Sequence, residues 1–415
     1  PYILQSFSQS SNNVILESNP HYWGGPYQFA GGSRITPKIS TVEFKYVPSQ
    51  TTREIDLKNA ASSGEAMAID VADSNLYDVA DRNSWLNSNS LTSIIPSVSI
   101  YGPYDFYGTL FDPFGTNVTN SQTGTFYTFQ PFADLRFRLA FADSVNMTDI
   151  GISVGNKLAP VALNVVPPGI PPAGAFNSSI TPAYSFNPDM AAQLLLQAMS
   201  SPLTKFTFTN GSAASAGLFN NTFGCPSLGS NHQCSKPVAQ SISLYFQTGD
   251  TVDQAIFQQI ATTINNISST YNMGLTVEVV PIPLGELTTE AFTTPTYFYM
   301  YSLGYEQDYP WVLDFLGPMF APGQSYTNPD GWNVTQMSVL FQEAVSANSA
   351  GNTTGLIEIS NQMNQLANSM AMYLWTFNTI NFITMTSNVH GFYYNPSLNP
   401  AGPGGVGPEY FATLY

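Results

Sequence analysis

The stretch between residues 241 and 282 alternates strand and helix patterns, and this alternation constrains the fold more than any other feature. "SISLYFQ" predicts a strand, "DTVDQAIFQQIATTINNISSTY" has the spacing of an amphipathic helix, and "GLTVEVVPI" predicts a second strand. A further helix is predicted in "NPDMAAQLLLQAM", with Asn187 as the cap and Pro188 at the first helical position. Helices are also predicted near 336–347 and 356–373. Alternating strands and helices predict an α/β fold with mixed sheets.

Charged side chains are scarce in this 415-residue chain, and most of them are acidic. Asp, Glu, Lys and Arg make up 9% of the residues, against about 25% in a typical soluble domain. The formal net charge is -16 and the isoelectric point is about 4.3, which excludes nucleic acid as a partner because phosphate backbones would be repelled. A surface solvated by neutral polar groups suits a protein that works in an acidic external medium.

The two cysteines lie close together in the sequence. Cys225 and Cys234 are in "GCPSLGSNHQC", a loop rich in Gly, Ser and Asn, and their spacing is not that of a CxxC metal or redox site. We predict a disulfide between them, which would stabilise the fold by about 2.5–3 kcal/mol in the chain-entropy model. Two free thiols are the alternative. Because disulfides persist in oxidising compartments, the bridge predicts an exported protein.

Asn-x-Ser/Thr sequons occur along the whole chain. A sequence this rich in Asn, Ser and Thr contains on the order of seven by chance, so their number is not evidence of modification. The sequence therefore permits glycosylation without demonstrating it. The candidate acceptors are Asn117, Asn146, Asn177, Asn210, Asn220, Asn266, Asn333 and Asn352.

The sequence predicts neither an enzyme nor a bound cofactor or metal. His21, His232 and His390 lie far apart, and none belongs to an HExxH or Gly-x-Ser-x-Gly motif. A glycosidase pair made of Glu306 and Asp308 is not favoured, because neighbours on one strand cannot flank a glycosidic bond. No EF-hand and no phosphate-binding loop with a lysine is present either.

Aromatic and acidic residues are concentrated in "GYEQDYPWVLDFLGPMF", which begins at Gly304 and ends at Phe320. The plain interpretation is a buried core strand followed by a turn. Asp308, however, is a carboxylate within an apolar run and needs a partner. The chain contains no Lys or Arg after Lys236, so the missing base can be part of a ligand.

Several motifs, in a fixed order, resemble one protein family. They are "VILESNPHYWGG", "STVEFKYVPSQTTREIDLKNAASSGE", "FADLRFRLAFADSVNMTDI", "YSFNPDMAAQLLLQAM", "LGYEQDYPWVLDFLGPMF" and "SNVHGFYYNP". Together they are similar to the extracellular solute-binding proteins of the dipeptide, oligopeptide and nickel type, family 5, which feed ABC importers. Tyr305 stands where the family has Trp, and Trp311-Val312 where it has Asp-Pro.

The resemblance implies a two-lobed periplasmic-binding-protein-like α/β fold of type II, similar to cluster C, with a hinge between the lobes. Residues 1–97 would form part of lobe I, 98–385 lobe II, and 386–415 the return to lobe I. "PYIL" matches a point well inside the family pattern, so we expect the full-length protein to contain a further N-terminal segment. The resemblance also implies an extracellular, monomeric protein that is tethered to the membrane by a segment outside this chain and delivers its ligand to ABC permease subunits.

The resemblance also implies a ligand site. In peptide-binding members, the strand matching Gly304 to Glu306 pairs with the ligand main chain, and the Asp matching Asp308 takes the ligand's α-ammonium group. A peptide is the favoured ligand. A neutral oligosaccharide stacked on aromatic rings is an alternative, because this part of the chain has no base to hold a peptide carboxylate. A structural, archaeal-type cell-surface glycoprotein is a second alternative. The candidate rings are Tyr305, Tyr309, Trp311 and Trp332.

Overall fold

The computed structural model describes most of the chain, and every structural statement below concerns the described residues. These are residues 2–11, 13–22, 38–45, 47, 50–66, 68–71, 91–94, 106–111, 116–119, 126–129, 131–153, 161–200, 206–207, 213–214, 240–293, 300–305, 309–324, 334–378 and 382–390.

The described strands and helices are numbered in chain order. The strands are β1 (Tyr2–Ser8), β2 (Asn13–Ser18), β3 (Thr41–Lys45), β4 (Ala68–Val71), β5 (Leu91–Ile94), β6 (Phe106–Phe111), β7 (Thr116–Thr119), β8 (Phe126–Phe129), β9 (Phe206–Thr207), β10 (Ala213–Ala214), β11 (Gln240–Gln247), β12 (Leu275–Ile282), β13 (Met300–Tyr305), β14 (Tyr373–Asn378) and β15 (Phe382–Thr386). The α-helices are α1 (Gln50–Ser63), α2 (Leu135–Asp143), α3 (Met147–Ser153), α4 (Pro188–Ser200), α5 (Thr251–Thr270), α6 (Leu284–Thr293), α7 (Val312–Phe320), α8 (Thr335–Ser349) and α9 (Thr353–Ser369).

The chain divides into two compact units. The first consists of residues 1–104, 306–310 and 379–415, and the second of residues 105–305 and 311–378. The first unit contains two three-stranded antiparallel sheets with strand orders β1-β2-β3 and β4-β15-β5. Within it, the side-chain amide of Asn388 donates to the Gly64 carbonyl at 2.9 Å.

The second unit is built on a five-stranded mixed sheet with the order β12-β11-β13-β6-β14. β11 is parallel to β12 and β13, whereas β6 is antiparallel to both of its neighbours. The predicted strand, helix and strand between residues 241 and 282 are β11, α5 and β12. The Asp250 carboxylate caps α5 by accepting from the backbone N–H groups of Val252 and Asp253, both at 2.9 Å.

Each face of this sheet has its own hydrophobic core. We call the first the α5-side core, with buried members that include Phe137, Phe141, Leu195, Leu244, Ile256, Ile260, Met300, Leu374 and Phe377. We call the second the α7-side core, with buried members that include Tyr301, Tyr305, Phe315, Met319, Met363, Tyr373 and Trp375. Side chains alternate between the faces along a strand, so the sheet serves both cores at once.

Two sequence expectations are corrected by the structure. The helix predicted near 356–373 ends at Ser369, and Tyr373 begins β14. Between them Ala371 has a φ of 44°, a conformation that L-residues rarely adopt and that ends the helix. The segment from Gly304 to Phe320 was interpreted from the sequence as a strand followed by a turn, but its last nine residues form a helix, α7, which contains Pro318. The long apolar run after Trp311 fills the α7-side core as a helix.

Neutral amides tie the core together where charged groups often do so. Asn364 of α9 accepts from the backbone N–H of Val165 at 3.2 Å. One turn later Asn368 donates to the Leu163 carbonyl at 3.0 Å and accepts from the indole N–H of Trp375. Asn side chains do not titrate, so acid leaves these hydrogen bonds unchanged.

Acidification is expected to preserve the fold. Arg136 and Asp134 form an ion pair at 2.7 Å, but the chain has only 11 Lys and Arg residues for 27 Asp and Glu residues, so most carboxylates have no basic side chain to lose on protonation. Burial raises the pKa of Asp143, although its carboxylate accepts from the Ser185 backbone N–H at 2.8 Å. A raised folded-state pKa means that folding favours the protonated acid, so this group's destabilising contribution diminishes as the pH falls through that pKa. Lowering the negative net charge also reduces self-repulsion.

We therefore predict that the free energy of unfolding at about pH 4.5 equals or exceeds that at pH 7. Urea unfolding at constant ionic strength measures it. Asp143→Asn keeps a carbonyl acceptor for Ser185 and should reduce the gain. A loss of more than about 2 kcal/mol on acidification would contradict the prediction, because it would require titrating attractions of the kind that acid normally breaks.

Candidate functional site

Strand β13 is the structural centre of the predicted ligand site. It pairs with β6 along its whole length, from Met300↔Phe111 to Tyr305↔Phe106. Its parallel ladder with β11 consists of two described residue pairs, Leu244↔Met300 and Tyr245↔Tyr301. On the β11 side, the described ladder therefore stops before the strand reaches Gly304.

Tyr305 and Gly304 are at the end of this strand. Tyr305 is 9% exposed, and its ring meets that of Phe315 edge to face, with centroids 5.7 Å apart. The ring therefore contributes to the α7-side core. Gly304 is half-buried.

The aromatic residues after the strand differ in exposure. Tyr309 is exposed, whereas Trp311 is half-buried and its indole N–H donates to the side-chain oxygen of Asn348 on α8 at 2.9 Å. Trp311 also immediately precedes α7, and its carbonyl accepts from the Asp314 N–H at 3.0 Å. Glu306, Asp308 and Trp332 lie outside the described residues.

A buried hydrogen bond fixes β13 against α5. The Ser302 hydroxyl donates to the Asp253 carboxylate, and both residues are 3% exposed. This contact was not predicted from the sequence. Asp250 immediately precedes α5 and caps it, whereas Asp253 lies in the first turn and does not act as the cap. This second acidic residue was the sequence signal from which a further contact could have been expected.

The predicted modification sites are only partly described. Cys225, Cys234, Asn210, Asn220 and Asn333 lie outside the described residues, and Asn117 is known only as a backbone position in β7.

The four remaining sequons differ in local structure. Asn266 is exposed on α5, but its sequon partner Ser268 is buried, and the Ser268 hydroxyl accepts from the Leu275 N–H at 3.0 Å. Asn352 is exposed and caps α9 by accepting from the Gly355 N–H at 3.0 Å. Asn146 and Asn177 are half-buried and accept from the backbone N–H groups of nearby residues.

Among the described residues, no cluster of three or more His, Cys, Asp or Glu side chains could hold a metal ion. Nor does the described part of the chain contain a helix long and apolar enough to cross a membrane.

Comparison with known families identifies the chain. Residues 1–327 match the model of the bacterial extracellular solute-binding proteins, family 5, middle region. The chain belongs to this family. The matched region includes β13 and the segment as far as α7. The resemblance stated from the sequence motifs is therefore confirmed.

Solved structures of family 5 type have the same fold. AppA from Bacillus subtilis in complex with a nonapeptide is 15% identical, with a TM-score of 0.64, and the match covers 100% of this chain and 66% of that one. DppA from Helicobacter pylori in complex with the peptide STSA is 15% identical, with a TM-score of 0.63 and coverages of 100% and 62%. NikA from Brucella suis in complex with Fe(III)-EDTA is 14% identical, with a TM-score of 0.61 and coverages of 100% and 67%.

These similarities confirm the predicted two-lobed α/β fold. The chain spans 66% and 62% of the lengths of the AppA and DppA structures. No curated protein sequence is similar enough to count as a match.

Proposed function

We propose that this protein is the substrate-binding component of an ABC importer and that it captures peptides for delivery to permease subunits in the membrane. The observation that carries this proposal is the family match over residues 1–327, which includes the β13 segment. Structures of AppA and DppA with bound peptides support the choice of ligand class.

The described geometry of β13 suits recognition of a peptide main chain. The strand is held on one side by β6 and on its α5 face by the bond between Ser302 and Asp253. A rigid strand can pair with the main chain of an extended ligand, and such pairing is independent of ligand side chains. We propose that the ligand lies along β13 near Gly304, which would give broad peptide specificity.

We propose that Asp308 binds the ligand's α-ammonium group. A carboxylate that meets a cation makes one of the stronger polar contacts. The absence of Lys and Arg after Lys236 leaves the ligand as a source of the positive charge. Glu306, Tyr309, Trp311 and Trp332 are proposed as further contacts around the same segment.

A neutral oligosaccharide remains the second candidate ligand, because no Lys or Arg after Lys236 is available to bind a peptide carboxylate. Calorimetric titration with tetraalanine and with maltotriose distinguishes the two. Saturable binding of tetraalanine is the expected result. Binding of maltotriose alone would overturn the peptide proposal while leaving the solute-binding role intact.

The family is extracellular, and we propose that this member carries the modifications expected outside the cell. One is the disulfide between Cys225 and Cys234. Alkylation without a reductant should then leave both cysteines unlabelled in intact-mass measurement, and two labelled thiols would disprove the bridge.

Glycosylation is proposed first at Asn352, the exposed acceptor at a helix start. An intact mass equal to that of the unmodified polypeptide chain would disprove glycosylation. Membrane tethering and the monomeric state also stay predictions.

A further inference from the structure

Strand β14 contains an irregularity in its pairing with β6, the strand that lies between β13 and β14. Trp375 pairs with Gly108 of β6, and Asn378 pairs with Phe106, so β14 has one residue more than β6 over this interval. An extra residue of this kind is a β-bulge, which redirects the side chains that follow it. Asn378 is the last residue of the strand.

The bulge determines the face on which Asn378 lies. Tyr373 and Trp375 belong to the α7-side core, whereas Leu374 and Phe377 belong to the α5-side core. Without the extra residue, Phe377 would share the face of Trp375. Because successive side chains alternate, Asn378 returns to the α7 side. Tyr305 of β13 is a member of the α7-side core as well.

Asn378 and Tyr305 occupy one row across the sheet. Both pair with Phe106, Asn378 from β14 and Tyr305 from β13. Neighbouring strands are about 4.8 Å apart, so the two backbones are separated by roughly 10 Å. An extended peptide advances about 3.3 Å per residue. A ligand that meets β13 at Gly304 and then turns across the ends of β13 and β6 would therefore reach the row position of Asn378 within about three residues.

The Asn378 carboxamide is buried and incompletely hydrogen-bonded. The residue is 3% exposed, and within the described part of the chain its side-chain oxygen has no hydrogen-bond donor. Buried polar oxygens in native proteins nearly always have a partner, so an exception requires a physical explanation. Asn378 also ends the strand at the boundary between residues 378 and 379, where the chain passes from the second unit to the first.

We propose that Asn378 is a specificity-determining residue whose side-chain oxygen accepts a hydrogen bond from an N–H group of the bound peptide. This inference rests on the proposed function. It deepens that function by requiring a nitrogen donor about three residues along the ligand, in addition to the main-chain pairing at β13. It also explains why Asn378 differs from Asn368, whose carboxamide on the same side of the sheet has its hydrogen-bond partners within the protein.

The test combines a variant with a set of ligands. Asn378→Leu removes the acceptor at similar volume and is expected to weaken tetraalanine binding about tenfold, the effect of one net hydrogen bond. Four tetraalanine analogues each replace one backbone or terminal nitrogen by oxygen and so remove one N–H donor. One analogue should bind about tenfold more weakly than tetraalanine to the wild type but as well as tetraalanine to Asn378→Leu.

Ser360→Ala provides the matched control. The Ser360 hydroxyl oxygen is likewise buried without a hydrogen-bond partner among the described residues, but it is on α9. This variant should bind tetraalanine as the wild type does. Asn378→Ala repeats the measurement should the leucine variant fail to fold.

The outcomes separate the inference from the function beneath it. If the wild type binds tetraalanine and the affinity is unchanged in the Asn378 variants, or if every analogue is weakened equally in wild type and variant, Asn378 has a structural role and the inference is wrong. If the wild type does not bind tetraalanine, the peptide proposal and this inference both fail.

Discussion

Replacing Arg138 by methionine is expected to lower the free energy of unfolding by about 3 kcal/mol or more, because three carbonyl acceptors lose a charged donor. Arg138 is 1% exposed and is on α2. Its guanidinium donates to the Phe132 carbonyl at 2.5 Å, to the Met370 carbonyl at 2.7 Å and to the Ala371 carbonyl at 3.1 Å. Methionine fills similar space but leaves these three carbonyls without the donor.

The location of these carbonyls explains the size of the effect. Met370 and Ala371 follow the end of α9, where helix carbonyls have no intrahelical donors. Arg138 therefore connects the start of α2 to the end of α9 through more than 230 residues of sequence. Burial lowers the pKa of Arg138 to about 9, against a smaller opposing effect of Asp134, so the side chain stays protonated at neutral and acidic pH.

Arg136→Met is the matched control for this substitution. Arg136 is two residues earlier on the same helix, but its side chain is 26% exposed and bonds Asp134 at 2.7 Å. The Asp134 carboxylate is 4% exposed but keeps the hydrogen bond from the Arg136 backbone N–H at 2.9 Å when the guanidinium is removed, so we expect the control to lose about 1–2 kcal/mol. Urea unfolding at pH 7 should therefore separate the two variants by at least about 1 kcal/mol. Equal losses would show that the carbonyl contacts of Arg138 do not stabilise the fold.

Replacing Asp308 by asparagine is expected to weaken peptide binding roughly thirtyfold or more. This change removes the charge at nearly constant volume, and truncating one partner of a buried charged pair costs on the order of 2–5 kcal/mol. A sugar that accepts or donates a neutral hydrogen bond should lose less. The size of the loss therefore reports the charge of the ligand group that meets residue 308.

The measurement is calorimetric titration of tetraalanine into wild type and Asp308→Asn across a range of pH. A neighbouring ammonium group favours the ionised carboxylate and lowers its pKa, so the advantage of the wild type should persist into mildly acidic solution. Glu343→Gln, which removes an exposed carboxylate from α8, should leave the affinity unchanged. Equal affinities of wild type and Asp308→Asn at every pH would assign Asp308 a structural role.

Local sequence patterns predicted those elements whose signals are themselves local. The helix α5 has an amphipathic period, and its position was predicted from that period alone. Asn187 caps α4, accepting from the Met190 N–H at 3.0 Å. The end of α9 was mispredicted because the following residues, "AMYLW", continue an apolar pattern that does not distinguish a buried helix from a buried strand.

Features that depend on pairing between distant segments could not be predicted. The bond between Ser302 and Asp253 joins residues 49 positions apart, and the face of Asn378 depends on a bulge that only the register with β6 reveals. The contacts of Arg138 could not be predicted for the same reason, because Met370 and Ala371, which follow the end of α9, lie 232 and 233 residues later in the sequence. In contrast, the family was recognised from the sequence because its motifs occur in a fixed order.

Mass spectrometry of the small molecules that this protein retains tests peptide binding itself. The protein is purified from the cells that produce it without denaturation, unfolded in acid and organic solvent, and the released compounds are fragmented. We expect short peptides of mixed sequence with free amino termini, because main-chain pairing ignores side-chain identity and the carboxylate proposed for Asp308 would select an ammonium group. Release of neutral oligosaccharides without peptides would contradict this expectation.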